Sequence, residues 1–188
     1  MLVRHPETEA NINGHYVGRG DSGYTERGLV QVDSLAARIA QFEPTAIWSS
    51  PLRRALTVGQ RACDATNVPL HIDERLNELD FGIAEGFSFE ETVEQGIRFE
   101  FANIDGPVAP MGESRRDIWD RSVSAMEEIL AIDGRIAVVT HGGVFRSALP
   151  FLLGLSIDNI WTFHIRNAQI AVVKIIEGHG QLEEFVVG

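Results

Sequence analysis

The chain opens with Leu2-Val3-Arg4-His5-Pro6-Glu7-Thr8, an apolar pair followed directly by an arginine and a histidine. This pattern predicts a short buried strand that delivers both side chains to its carboxyl end. A later apolar run, Ile136-Ala137-Val138-Val139-Thr140, ends in the same way, in His141-Gly142-Gly143. Open α/β sheets bind their ligands at the carboxyl ends of their strands. We therefore expect His5 and His141 to meet at one end of a sheet.

The combination of imidazole and guanidinium groups predicts phosphate chemistry. An unprotonated imidazole is a competent nucleophile or acid–base group near neutral pH, and a guanidinium binds phosphate oxygens bidentately. His5 precedes Pro6, which biases the histidine backbone toward the extended conformation of a strand end. The positive charge of Arg4 disfavours a protonated His5, because like charges lower the pKa. His5 is thus the candidate nucleophile, and Arg4 is a candidate phosphate ligand.

Length, charge and cysteine content limit the possible functions. The 188 residues are expected to form one domain, 1–188, which buries roughly 70% of its unfolded surface. The net charge of −11 opposes nonspecific binding to nucleic acid or to an anionic membrane surface. Its single cysteine, Cys63, cannot form an internal disulfide. No apolar run approaches the ~20 residues that cross a bilayer, and no signal-type segment is present.

These properties favour a cytoplasmic protein with a small phosphorylated substrate and no nucleic-acid or membrane partner. A pocket for such a substrate must be locally positive, against the net charge of the chain. Trp119, Trp161 and Phe163 fit either the core or a subunit interface, so a homo-oligomer is an open alternative.

Apolar periodicity and turn residues predict helices that alternate with strands. The predicted helices are residues 26–43, 50–66, 88–101, 114–132 and 143–153. The predicted strands are residues 2–4, 46–49, 69–72, 136–140, 168–176 and 182–187. This order indicates an α/β fold, a three-layer sandwich with a central, mostly parallel sheet flanked by helices. The glycine-rich residues 80–112 are the least regular segment and are predicted to form a lid or substrate loop.

Two further positions complete the predicted site. Arg54 lies in the first turn of a helix, four residues after the strand end at Ser50, where free N–H groups already favour anions. A phosphomonoester leaving group departs as an alkoxide unless a nearby acid protonates it. Glu78 is the candidate for this acid, and Asp80 and Glu85 are its rivals.

The segment Gly18-Arg19-Gly20-Asp21-Ser22-Gly23 matches the dinucleotide-binding glycine pattern. A true dinucleotide site follows a strand directly, and an acidic residue ends the next strand. Here residues 11–15 are turn-like, and the next predicted strand ends in Ser49-Ser50. We therefore interpret residues 18–23 as a loop beside the pocket and expect no dinucleotide.

Several short motifs occur in order between residue 2 and about residue 170. They are Leu2-Val3-Arg4-His5, Asn11, Ser49-Ser50-Pro51-Leu52-Arg53-Arg54-Ala55, Leu76-x-Glu78-x-x-x-Gly82-x-x-Glu85-Gly86, Gly112-Glu113-Ser114 and Thr140-His141-Gly142-Gly143. Each motif is weak alone, but the ordered set is specific. It resembles the histidine phosphatase superfamily, which has the phosphoglycerate-mutase-like fold.

The resemblance implies that His5 is phosphorylated during turnover, that Glu78 protonates the leaving group, and that no metal or cofactor takes part. The site residues implied in this way are catalytic His5, Glu78 and His141, with substrate-binding Arg4, Asn11, Arg54 and Gly142. Pro6 stands where the family usually has glycine. Proline keeps its carbonyl as an acceptor for the other ring nitrogen of His5, but it lacks an N–H and restricts φ.

A metal-independent phosphomonoester hydrolase, acting through phosphohistidine on a small metabolite, is the function that these features favour. A phosphoglycerate mutase and a non-catalytic phosphate-binding module are the alternatives. Mutases that resemble this chain usually carry a longer insertion between the acid and the second histidine, which encloses the substrate. The gap from Glu78 to His141 is short here. Because exclusion of water separates transfer from hydrolysis, the short gap favours a phosphatase. A protein that only binds phosphate needs no leaving-group acid.

Overall fold

The computed structural model describes residues 1–188 and has a six-stranded sheet at its centre. The strands are β1 Leu2–Arg4, β2 Ala46–Ser49, β3 Leu70–Ile72, β4 Ile136–Thr140, β5 Gln169–Ile176 and β6 His179–Val187. They are ordered β3-β2-β4-β1-β5-β6 across the sheet. The first four strands in this order are parallel, β5 is antiparallel to β1, and β6 is antiparallel to β5. The predicted α/β fold is confirmed, and an antiparallel hairpin completes one edge of the sheet.

The helices are α1 Glu9–Ile12, α2 Glu26–Gln41, α3 Arg53–Thr66, α4 Phe89–Glu94, α5 Arg115–Leu130 and α6 Gly142–Leu152. The four-residue α1 was not predicted, because so short a helix shows no apolar period. Helix α4 is shorter than predicted, since the chain leaves it through Gly96, which has a positive φ of 70°. No helix of the structure has both the length and the apolar character needed to cross a membrane.

The helices cover both faces of the sheet and bury one apolar cluster on each. On one face, α2 and α3 pack against Val3 of β1 and Val139 of β4. On the other, α5 and α6 pack against Leu2 and Val138. Neighbouring residues of one strand thus serve opposite clusters, because side chains alternate across a sheet. The result is the predicted three-layer arrangement.

The apolar spacing of their helices predicts that Leu29 and Leu130 face inward, but both side chains are exposed. Leu29 is 56% exposed and Leu130 is 44% exposed. In α2 the inward position of the first turn belongs to Gly28, where a Cβ would overlap the carbonyl oxygen of Glu7. Successive helical residues are rotated by about 100°, so Leu29 turns away from that contact. In α5 the small residue Ser122 is buried, although it is not part of the apolar spacing of the helix.

Strand pairing brings the predicted site residues to one edge of the sheet. In the parallel pair of β1 and β4, Arg4 lies opposite Thr140, so His5 and His141 follow equivalent positions. The neighbouring strand β2 ends at Ser49, opposite Val139. Three chain segments therefore leave the sheet side by side at its carboxyl edge.

Candidate active site

The two histidines lie together beyond the ends of β1 and β4. Their ring centroids are 5.2 Å apart, and the two residues are 2% and 0% exposed for His5 and His141 respectively. The backbone N–H of His5 donates to the carbonyl oxygen of Thr140 at 2.9 Å, which continues the β1–β4 pairing into the site. The structure thus brings together two imidazoles that are far apart in the sequence.

The hydrogen bond of His5 identifies the ring nitrogen that is free to attack. Its Nδ1 lies 2.7 Å from the carbonyl oxygen of Pro6. A carbonyl oxygen only accepts, so Nδ1 carries the proton and Nε2 keeps its lone pair. Burial lowers the pKa of His5 well below its ordinary value, and the charges of Arg4 and Arg54 lower it further. A neutral imidazole with Nε2 available is the nucleophilic form.

Pro6 is compatible with this arrangement because the hydrogen bond needs only its carbonyl group. The same carbonyl oxygen accepts a second hydrogen bond, from Nδ2 of Asn167 at 3.3 Å. Asn167 also donates to Oδ1 of Asn11 at 2.8 Å. It was not recognised from the sequence, where no motif surrounds it.

Asn11 itself is held firmly at the start of α1. Its Oδ1 accepts from the backbone N–H and the hydroxyl of Thr8, in addition to Asn167. Because these three donors occupy the amide oxygen, the Nδ2 amino group is the part of the side chain left to donate to a substrate.

Two arginines hold positive charge beside the histidines. Arg4 donates from Nη1 to the carbonyl oxygen of Ile165 at 2.9 Å, and its Nε is buried without a protein partner. Arg54, 3% exposed, donates to the carbonyl oxygens of Gly20 at 2.7 Å and Gly18 at 2.6 Å. Burial lowers the pKa of both guanidinium groups. Each retains N–H donors beyond these bonds, which suits the binding of a phosphoryl group.

The loop that orients Arg54 is the glycine-rich segment 18–23. Oxygens of the Glu85 carboxylate accept from the backbone N–H groups of Arg19 at 2.9 Å and Gly20 at 3.1 Å. A Cβ at Gly18, which has a positive φ of 49°, would overlap this carboxylate. The segment is therefore a loop whose glycines permit close approach to Glu85.

Glu78 lies beside Arg4 at the beginning of α6. Its Oε1 accepts from the backbone N–H of Leu79 at 2.8 Å and of Gly143 at 2.9 Å. A Cβ built on Gly142 would lie 3.4 Å from the Arg4 guanidinium and 3.5 Å from Glu78 Oε2. Arg4 and Glu78 therefore both lie against Gly142. Oε2 of Glu78 takes no part in the two backbone hydrogen bonds, which go to Oε1.

The rival carboxylates have other partners. Glu85 anchors the backbone of the 18–23 loop, as described above. Asp80 accepts from the backbone N–H of Gly82 at 2.8 Å and lies 3.9 Å from the side chain of Arg19. Of the three carboxylates, Glu78 is the one whose charge acts on the guanidinium of Arg4.

Hydrogen bonds also determine which ring nitrogen of His141 keeps its lone pair. Its Nε2 lies 2.8 Å from the hydroxyl of Ser50, which donates its only proton to Oδ1 of Asn77 at 2.8 Å. Nε2 of His141 must then donate, and Nδ1 is buried without a partner. Burial lowers the pKa of His141 well below its ordinary value, and the charges of His5 and Arg54 lower it further. The sequence motif contained Ser50 but gave no reason to assign it this role.

No group of three or more His, Cys, Asp or Glu side chains lies close enough together to hold a metal ion. A cavity of about 730 Å³ lies at the opposite end of the sheet, beside Met1 and Ile136. A smaller cleft of about 420 Å³ adjoins the loop that orients Arg54 and is lined in part by Gly20 and Asp21. The cavity beside Met1 is separate from the cationic cluster formed by Arg4 and Arg54 beside His5 and His141.

The free energy of unfolding is expected to decrease as the pH is lowered from 7 to 5. The folded-state pKa values of His5 and His141 lie below the unfolded value of about 6.5, so the unfolded chain binds more protons in this range. This stabilisation is complete above about pH 6.5 and is lost below it, by up to about 1.4 kcal/mol per pH unit for each histidine. Urea unfolding at pH 7, 6 and 5 measures the slope. A flat profile would contradict the lowered pKa values.

The chain is similar to known phosphatases and phosphoglycerate mutases. A relative from Hydrogenobacter thermophilus, provisionally named phosphoserine phosphatase 2, is 32% identical over 178 residues, covering 93% of this chain and 88% of that protein. A 2,3-bisphosphoglycerate-dependent phosphoglycerate mutase from Thermoplasma acidophilum is 27% identical over 181 residues, covering 93% and 86%. The structure of a phosphoserine phosphatase from Entamoeba histolytica, in complex with 3-phosphoglyceric acid, matches with a TM-score of 0.81 at 27% identity, covering 98% of this chain and 94% of that one.

The sequence profile of one family covers nearly the whole chain. It is described as the histidine phosphatase superfamily (branch 1), and it matches residues 1–187. The resemblance seen in the sequence motifs is thereby confirmed. On these grounds, the chain belongs to branch 1 of the histidine phosphatase superfamily.

Proposed function

We propose that the protein is a phosphomonoesterase that hydrolyses a small phosphorylated metabolite through a phosphohistidine at His5, without a metal ion. One observation carries the proposal. The buried, neutral imidazole of His5 has its Nε2 lone pair free, with Arg4 and Arg54 acting on it and Glu78 beside Arg4. A nucleophile, a positive pocket and a proton donor are the parts that phosphoryl transfer requires.

In the first step, Nε2 of His5 attacks phosphorus and the bond from phosphorus to the ester oxygen breaks. Glu78 gives its proton to the departing oxygen, so the leaving group departs as a neutral alcohol. The guanidinium groups of Arg4 and Arg54 balance the negative charge on the transferring oxygens. Asn11 contributes its Nδ2 amino group to the same phosphoryl group.

The second step regenerates the enzyme. The Glu78 carboxylate, now deprotonated, accepts a proton from a water molecule that attacks phosphorus. The P–N bond breaks, its electron pair returns to Nε2 of His5, and inorganic phosphate leaves. We assign the backbone N–H of Gly142 to the phosphate pocket, since Gly142 begins α6 and helix N-termini favour anions. We assign His141 to the same pocket in its protonated form, in which Nδ1 donates, because Nε2 already donates to Ser50 and a bound phosphoryl anion favours protonation.

The contacts of the lid region favour hydrolysis over mutase activity. A mutase needs groups that enclose its substrate and exclude water from the phosphohistidine. Two of the three arginines in this region bind the lid itself: Arg115 donates to the carbonyl oxygen of Ala102, and Arg116 donates to Asp105, whereas Arg98 is exposed. The placement of Glu78 beside Arg4 argues against a protein that only binds phosphate.

We further propose the domain organisation, location and partners that the sequence predicts. Residues 1–188 form one histidine phosphatase domain, which works in the cytoplasm and has no nucleic-acid partner. Association into a homo-oligomer stays a prediction. Trp161, 55% exposed, is a side chain that such an interface would cover, and sedimentation of the purified protein measures it.

A substrate panel tests the function. The purified protein, kept in EDTA, is offered phosphoserine, 3-phosphoglycerate, sugar phosphates, ribazole phosphate and nucleotides, and released phosphate is measured. We expect at least one metabolite to be hydrolysed with kcat/KM of about 10⁴ M⁻¹s⁻¹ or more. Interconversion of phosphoglycerates that depends on a 2,3-bisphosphate primer and exceeds hydrolysis would instead establish a mutase. Binding of phosphate esters without any turnover would establish a binding module.

A further inference from the structure

Arg121 of α5 contacts the backbone of the segment that carries Glu78. Its Nη1 donates to the carbonyl oxygens of Arg75 at 2.7 Å and Asn77 at 2.6 Å. Its Nη2 donates to the carbonyl oxygen of Glu78 itself at 3.0 Å. One guanidinium group therefore holds three carbonyls within four consecutive residues. Residues 74–76 form a single 3₁₀ turn, and Glu78 lies just beyond it, so these bonds hold the backbone of Glu78 from the side of α5.

Glu113 holds this guanidinium from its other side. Its Oε1 accepts from Nε of Arg121 at 2.9 Å, and its Oε2 accepts from Nη2 at 2.9 Å. With the three carbonyl contacts, these bonds use all five N–H donors of the arginine. No donor is left for a substrate, so Arg121 acts only through protein groups. A lysine has three donors and no planar fork, and it cannot reproduce this pattern.

Glu113 also connects the Glu78 segment to the loop that orients Arg54. Its carboxylate accepts from Nη2 of Arg19 at 3.0 Å and from the backbone N–H of Asp80 at 3.0 Å. Arg19 lies between Gly18 and Gly20, whose carbonyl oxygens bind Arg54. Burial raises the pKa of Glu113, but Arg121, the backbone N–H of Asp80 and the charge of Arg19 together outweigh this, and the net pKa is lowered. Glu113 is thus an anion shared by two positive side chains.

We propose that Arg121, oriented by Glu113, is a positioning residue that sets the place of the Glu78 carboxyl group relative to the leaving group. The inference rests on the proposed role of Glu78 as the acid. Proton transfer requires an approach within hydrogen-bond distance, and a displacement of about 1 Å lowers rates by as much as 100-fold. Three carbonyl contacts on residues 75–78 restrict such a displacement.

The test compares two substrates of similar shape, phenyl phosphate and p-nitrophenyl phosphate. The nitrophenolate leaves with little help from an acid, whereas phenolate, with a pKa of about 10 as in tyrosine, benefits from protonation. The quantity measured is kcat/KM, which includes every step up to departure of the leaving group. We expect Arg121→Lys to lower kcat/KM for phenyl phosphate about 10-fold, and Arg121→Gln roughly 10- to 100-fold. For p-nitrophenyl phosphate the decrease should stay below about 3-fold.

Glu128→Gln is the matched control. Glu128 lies on the same helix and forms an exposed ion pair with Arg75, so it links α5 to the same segment without contacting the carbonyls of Asn77 or Glu78. Because exposed ion pairs contribute little, both substrates should react as in the unmodified enzyme. If Arg121→Gln does not fold, Arg121→Lys provides the same comparison.

A double variant distinguishes the two proposals. If Arg121 acts through Glu78, adding Arg121→Gln to Glu78→Gln should cause no further selective loss on phenyl phosphate. Additive losses, or equal losses on both substrates in the Arg121 variants, would overturn the positioning role. A Glu78→Gln variant without any selective loss would instead overturn the acid role, and with it the proposed mechanism.

Discussion

Replacing His5 with alanine is expected to abolish turnover and formation of the phosphoenzyme together. The imidazole of His5 supplies the attacking Nε2. Nδ1 of His141 also has no protein partner, but it lies on another ring and does not occupy the position of the nucleophile. Loss of a nucleophile that acts with other groups as a unit lowers kcat by roughly 10⁴- to 10⁶-fold. The measurements are phosphate release and covalent incorporation of label from a ³²P-labelled substrate. Phosphohistidine is recognised by its lability in acid.

His179→Ala is the control for this experiment. His179 begins the edge strand β6, is exposed and lies outside the cationic cluster, so this variant should keep its activity and its label. Retained turnover in His5→Ala would eliminate the nucleophile assignment. Acid-labile label that persists in this variant would move the phosphorylation site to another histidine, with His141 as the nearest candidate.

Replacing Glu78 with glutamine is expected to lower the rate selectively for esters with poor leaving groups. Glutamine retains an oxygen that accepts from the backbone of Gly143, but it has no acidic proton to give. General acid catalysis contributes about 10²- to 10⁴-fold. We expect kcat/KM for phenyl phosphate to decrease by about 100-fold, and for p-nitrophenyl phosphate by less than about 10-fold. Both are measured from initial rates at constant pH.

The two rival carboxylates give contrasting controls. Asp80→Asn should change neither substrate, because its side chain accepts from the backbone of Gly82 and does not touch Arg4 or Arg54. Glu85→Gln should lower kcat/KM equally for both substrates, because Glu85 holds the loop whose carbonyls orient Arg54. A selective loss in Asp80→Asn, or equal losses in Glu78→Gln, would argue against Glu78 as the acid.

Much of the fold could be predicted from the sequence because its elements are locally encoded. Strand β2 has the predicted bounds, and Ser114 caps α5 as its position indicated, accepting from the backbone N–H of Asp117. The lid region was less predictable. Helix α4 covers six residues there, and the rest of residues 80–112 is held by contacts such as the hydrogen bond between Gly82 and Asp80. Loops of this kind have no apolar period to read.

The sequence alone determined which side chains stand at the carboxyl ends of the strands. A strand that ends in Arg4-His5 and another that ends in His141 have adjacent carboxyl ends if they are parallel neighbours, and the βαβ order of the chain makes them parallel. Arg54 follows from the same rule, since its helix begins after the next strand. These inferences need only local patterns and the geometry of parallel sheets.

Only the tertiary structure distinguishes the contacts of the three carboxylates, the tautomers of the two histidines and the groups that support them. Glu78, Asp80 and Glu85 lie within eight residues of one another, and their partners come from α6, a lid turn and the 18–23 loop. The free nitrogen of His5 depends on a carbonyl in the next residue, but that of His141 depends on Ser50, 91 residues away. The position of Glu78 depends on Arg121, 43 residues away. Such contacts join segments with no common periodicity, so they exist only once the whole chain has packed.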